Sequence, residues 1–184
     1  MAEELLEKIP PEKRWEITTK TLTSLYVIRG EKIIAPELGK GEGITSPIWG
    51  AEKWIEINVK IFGDAGKLLF PMFKKMFNIP VEDAIEAHKL ETVTYTLMMG
   101  PEFEVEYVEK TPKRVVTRTT KCPWWERYKE FEADPAFTAC DKGGHQAWGE
   151  EGHKVINPKL TYKLAKAMPR GDPYCEVIIE FKEK

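Results

Sequence analysis

Serine is nearly missing from this sequence: Ser24 and Ser46 are the only two in 184 residues. Neither sits in a GxSxG pattern, which argues against a serine nucleophile on a strand-to-helix elbow. The GxxxxGK[ST], GxGxxG and HExxH patterns are also missing. Phosphate-loop, dinucleotide and zincin readings therefore have no motif to stand on. No apolar run approaches the roughly 18 residues that a spanning helix needs, so no membrane partner is expected. No sign of charge dominates: 28 Lys and Arg face 30 Asp and Glu, a net charge of −2. The charges are interleaved without a basic block, so no nucleic-acid partner is expected either. Glu3, Glu4 and Glu7 surround Leu5 and Leu6 between Met1 and Pro11. A secretory leader has a basic start and an unbroken apolar stretch, so a cytoplasmic location is expected. Three cysteines are an odd number in a chain long enough to need no staple. Free thiols, catalysis or metal binding fit them better than a disulfide framework.

What is present reads as ordinary globular protein, 42% hydrophobic and 32% charged, within one domain over 1–184. The first part, 1–99, is helical in pattern. Trp15, Thr18, Leu22, Leu25 and Val27-Ile28 recur at near-helical spacing after Pro10-Pro11. Residues 36–46 read as a loop, and Ser46-Pro47 as an N-cap and first helical residue. Trp54, Ile57, Ile61, Leu68, Leu69, Met72, Phe73 and Met76 form an apolar stripe, with breaks or kinks expected at 63–66 and Pro71. A third helix is expected over 81–99, with Ala84, His88, Glu91 and Tyr95 on one face.

The second part, 100–184, changes period. Residues 102–107 alternate as a strand with one wet face does. A turn at 110–113 and a Val- and Thr-rich strand over 114–120 complete a hairpin. A short helix follows Cys122-Pro123, and another is expected over 135–153, weakened by Gly143-Gly144. Leu160, Tyr162 and Leu164 mark a third strand, and Cys175, Val177, Ile179 and Phe181 a fourth. The expected fold is α+β: N-terminal helices packed on an antiparallel sheet of about four strands, in the order ααα-ββ-αα-ββ.

The cysteines are the first candidates for chemistry. Cys122 stands at a helix start, which lowers a thiol pKa. Cys140 stands in a helical stretch, and Cys175 at the head of the last strand. Each also fits a small buried hydrophobe. Three thiols and one histidine, His145 or His153, would complete a tetrahedral zinc set, although no CxxC or HxxxH spacing supports it. Asp141 and His145 lie in a polar run where a proton shuttle and its orienter would fit. Trp124, Trp125, Trp148 and Tyr162 read as core aromatics or as walls of a pocket for a flat or apolar ligand.

Cys122-Pro123-Trp124-Trp125, Cys140-Asp141, Asn157-Pro158-Lys159-Leu160 and Gly171-Asp172-Pro173-Tyr174-Cys175 together resemble the L-2-amino-thiazoline-4-carboxylic acid hydrolase family. The likeness covers roughly 80–184. It implies hydrolysis of a cyclic C–N bond, with Cys122, Cys140 and Cys175 as the positions to watch. The closing strand is also similar to the four-vinyl-reductase ligand-binding domain, which implies a ligand cavity beside a cysteine-bound zinc.

Three functions follow. One is a small-molecule hydrolase, with Cys122 or Cys175 as nucleophile or a metal-activated water, His145 as proton shuttle, and Asp141 or Asp172 as its orienter. The second is a non-catalytic binding domain for a small organic ligand or cofactor, with a structural Cys-bound zinc. The third is an accessory subunit of a larger enzyme, or a homodimer.

Overall fold

The structure, a computed structural model, describes residues 10–26, 51–100, 102–133 and 143–182. Helix α1 spans Pro11–Tyr26, α2 Ala51–Met76 and α3 Ala84–Met99. Strands β1 (Glu104–Lys110) and β2 (Arg114–Lys121) follow, then α4 (Pro123–Glu130) and α5 (Gly144–Ile156). Strand β3 (Leu160–Lys166), a 3-10 turn at Met168–Arg170 and strand β4 (Cys175–Phe181) close the chain. The fold is α+β, in the order read from the sequence. The loop expected at 36–46 and the cap at Ser46-Pro47 lie outside the described residues.

Local chemistry explains the element boundaries. Asp83 caps α3 by accepting from the Glu86 N–H at 2.8 Å, and Glu86 reaches back to accept from the Glu82 N–H at 2.6 Å. The first bond satisfies an orphan donor of the helix start, and the second ties down the residue before the cap. Pro123 occupies the first turn of α4, where its missing N–H costs nothing.

Two boundaries differ from expectation. Helix α2 runs unbroken through Gly63, Gly66 and Pro71. Gly66 is a packing position: an added Cβ would lie 2.5 Å from the Trp148 carbonyl oxygen of α5. Helix α5 begins at Gly144, with Gly143 as its N-cap at φ +97°, so the glycine pair starts the helix instead of weakening its middle.

The sheet is antiparallel with strand order β1-β2-β4-β3. Val115, Thr117 and Thr119 of β2 pair with Ile179, Val177 and Cys175 of β4. Those side chains, with Leu160, Tyr162 and Leu164 of β3, turn one face toward the helices. The core joins them to Phe70, Phe73, Ala84, Ala87, Leu90 and Trp148. Helix α5 lies between α2 and the sheet, and among the described elements its packing against α2 is the most extensive of any pair. On its sheet side, a Cβ at Gly149 would lie 2.2 Å from the Tyr162 ring. Strand β1 is exposed along most of its length on both faces, because it lies at the sheet edge beyond the helices.

The Gly66 contact is testable. Gly66→Ala should destabilise by about 1–3 kcal/mol through overpacking, although alanine favours an exposed helix by about 1 kcal/mol over glycine. Gly63→Ala is the control. Its Cβ would meet only ordinary contacts, the nearest Glu151 Cγ at 3.6 Å, and should leave stability unchanged or raised. Urea unfolding of both variants measures the difference, and equal midpoints would contradict the packing assigned to Gly66.

Candidate functional site

A cavity of about 100 Å³ lies where α3, α5, the start of α4 and the inner face of the sheet meet. Helix α3 contributes His88, Glu91 and Tyr95, and α5 contributes His145 and Trp148. Thr117, Cys175 and Val177 form the floor on β2 and β4. Phe62 of α2 and Trp124 of α4 close one side, with ring centroids 5.7 Å apart. The rim carries the side chains Thr92, Met98 and Val105. The wall is overwhelmingly apolar, and among the described residues no lysine or arginine belongs to it.

The polar groups of the wall are held neutral. Glu91 is 3% exposed. Burial pushes its carboxyl up to about 8, against the opposing hydrogen bond from Tyr162. The Tyr162 hydroxyl also lies 3.0 Å from His145 Nε2, so Glu91, Tyr162 and His145 form one hydrogen-bonded chain. Burial, reinforced by Arg170, brings His145 down to about 4. His88 falls to about 4 through burial and the nearby Lys110, and its Nδ1 lies 3.1 Å from the Tyr107 hydroxyl. Behind the wall, His153 stacks on the Tyr162 ring at 5.2 Å, and its Nδ1 bonds the Gly149 carbonyl at 2.7 Å. Burial lowers it to about 4 as well.

Of the residues singled out from the sequence, Cys122, Cys175, His145, Trp124 and Trp148 share this cavity. Tyr162 lies behind it and touches it through His145 and Glu91. Trp125 turns away and stacks on Tyr128, centroids 6.1 Å apart. Asp172 accepts from the Ala167 N–H at 2.9 Å and holds the turn before β4. Cys140 and Asp141 lie outside the described residues.

The expected activation of Cys122 is reversed. It does stand at the N-cap of α4, and the Trp124 and Trp125 amides favour its thiolate, but burial outweighs them and pushes the thiol up to about 12. Burial also raises Cys175, whose Sγ accepts from the Met168 N–H at 3.4 Å. Among the described residues no group of three His, Cys, Asp or Glu side chains is placed to hold a metal ion. The sequence reading did not single out Glu91 as a site residue. Its only signal was a carboxylate on the face of α3 that also carries Ala84 and His88.

These shifts set a pH profile. His88, His145 and His153 titrate near 6.5 when unfolded and near 4 when folded. Their contribution is present above pH 6.5 and is lost as pH falls toward 4. Glu91 titrates near 4.5 unfolded and near 8 folded, so its contribution is present below pH 4.5 and is lost as pH rises toward 8. Three histidines outweigh one carboxyl on the acid side, which places maximum stability near pH 6.5. Glu91→Gln should remove a fall of about 2 kcal/mol between pH 6.5 and 8, read by urea unfolding across pH. Parallel profiles for the two proteins would contradict the assignment.

No family model matches the chain, and no curated relative matches it. Among solved structures, the chain is similar to a trafficking protein particle complex subunit 3 from Naegleria fowleri covalently bound to palmitic acid. That likeness has a TM-score of 0.56 at 14% identity and covers 91% of this chain and 96% of the other. The phenol-responsive sensory domain of the transcription activator PoxR, solved with phenol, aligns with a TM-score of 0.47 at 11% identity, over 89% of this chain and 74% of that one. At these identities the first likeness establishes a shared fold.

Proposed function

We propose that this chain is a binding domain for a small, mostly apolar organic molecule that enters the cavity between α3, α5 and the sheet. The observation that carries this reading is the cavity itself: about 100 Å³ of apolar wall around one buried carboxyl. Dry apolar cavities of roughly 150 Å³ hold a benzene ring, so this smaller one, open at its rim, suits a guest no larger than a single ring or a short chain. The trafficking subunit that shares the fold carries palmitic acid, which supports an apolar guest in this architecture.

The hydrolase reading asks for a thiolate or a metal-activated water. Burial keeps the Cys122 and Cys175 thiols protonated at neutral pH. His145 commits Nε2 to Tyr162 instead of a sulfur. The described residues therefore favour binding over catalysis.

Two measurements test the proposal. At 100 times its Kd a ligand stabilises by about 2.7 kcal/mol, a rise of roughly 5–10 °C in a domain of this size. Toluene is expected to produce such a rise and to change Trp124 and Trp148 fluorescence. Val105→Trp, a rim substitution outside the core, should weaken toluene binding by about tenfold or more. If toluene neither shifts Tm nor binds by calorimetry, the proposal fails. Separately, iodoacetamide at pH 7 should modify Cys122 and Cys175 far more slowly than free cysteine, followed by mass spectrometry. Rapid modification of either thiol would return the nucleophile reading to the front.

A further inference from the structure

One face of α2 stays open. Gly63 and Gly66 turn toward α5. At 3.6 residues per turn, Ile61, Leu68, Met72 and Met76 fall on the opposite side of the helix, and they are 55%, 69%, 41% and 63% exposed. Single exposed apolar residues are ordinary, but four along one line of one helix make a patch. With Ala65 and Leu69, both partly buried, they offer roughly 500 Å² of apolar surface, in the upper part of the range for the largest patch on a monomer. A standard interface takes about 800 Å² from each partner, and about 65% of it is apolar where the partners are identical. The stripe supplies that apolar share.

Its spacing identifies the occupant. Ile61, Ala65, Leu68 and Met72 follow one another at intervals of four, three and four. That alternation lets the side chains of one helix insert between those of another. The series also reads the same in both directions. A second α2 laid antiparallel, about a two-fold axis between Ala65 and Leu68, therefore meets it in register. Ile61 then faces Met72 of the partner subunit, Ala65 faces Leu68 of the partner subunit, and the converse contacts follow by symmetry. Small against large at the centre lets the two helices approach closely. A helix built to adsorb to anionic lipid carries a basic polar face. Here Asp64 pairs with both Lys60 and Lys67 beside the stripe, and Lys67 also pairs with Glu151 at 3.1 Å.

We propose that this chain forms a two-fold symmetric dimer through α2, the stripe of one copy packed antiparallel on the stripe of the other. The proposal does not draw on the cavity and stands apart from the binding-domain reading.

Sedimentation equilibrium of the full chain tests it. The unaltered chain should reach twice the monomer mass at about 100 µM. Leu68→Glu puts a charge at the centre of the seam and should weaken the dimer by about a hundredfold or more. Leu22 of α1 is 58% exposed, so Leu22→Glu is the control for a charge in place of an exposed leucine and should leave the dimer as it was. The antiparallel register has its own readout. Ile61→Cys combined with Met72→Cys should give a disulfide-linked dimer on a non-reducing gel after treatment with oxidised glutathione, and neither single variant should. Cross-links are scored against the unaltered chain, which keeps its three cysteines. A monomer at that concentration overturns the proposal. So does a dimer that survives Leu68→Glu or is lost equally with Leu22→Glu. A cross-link formed by Ile61→Cys alone overturns the antiparallel pairing. A monomeric chain that adsorbs to phosphatidylserine vesicles, and loses that adsorption with Leu68→Glu, assigns the stripe to a lipid surface and overturns the dimer.

Discussion

The seating of α5 is the constraint on which the rest of the molecule depends. This helix is pressed on one side against α2, where Gly66 lets the Trp148 backbone approach closely, and on the other against Tyr162, where Gly149 makes room for the ring. Because α5 sits this deep, His145 can reach the Tyr162 hydroxyl and Trp148 can stand across from Tyr95 at 5.8 Å. Lifting the helix by one methyl group would part the hydrogen-bonded chain that ends at Glu91. Cavity and core are thus one packing solution, not a rigid scaffold with a site added on top.

Much of this was legible in the sequence, for local reasons. The change from helical to alternating period at Gly100, the Pro-started helix after Cys122 and the paired strands at the end all depend on neighbouring residues. The joins at 63–66 and 143–144 were misread because glycine has two uses. In α2 it opens space for another helix, and at Gly143 it starts one. Local sequence cannot tell these apart, since the partner that fills the space beside Gly66 is Trp148, in a distant part of the chain. The cavity shows the same limit. Cys122, Cys175, His145, Trp124 and Trp148 were singled out by type and position, and they do meet. Glu91 was visible only as a carboxylate on a helix face, and its meaning comes from α5 and β3 packed over it.

Competing electrostatic effects at the cavity are decided by burial. The start of α4 favours a Cys122 thiolate, the Gly149 carbonyl favours a charged His153 and Tyr162 favours a charged Glu91, yet in each case desolvation dominates. The result is a space walled by neutral groups that can still form hydrogen bonds.

Strand β1 adds a kinetic side to this picture. It forms part of the cavity rim through Val105, yet among the described strands it pairs only with β2. Glu104, Glu106 and Glu109 line it, and charge on an edge strand discourages pairing with a further strand. Its amides therefore belong to the part of the sheet that opens most cheaply, while β2 and β4 are held on both sides. On the binding-domain reading, a guest passing Val105 would draw on that local opening without disturbing Phe70, Leu90 or Ile179. Amide hydrogen exchange along β1 would then track occupancy of the cavity, slowing as it fills, even where the exchange of the central strands stays the same.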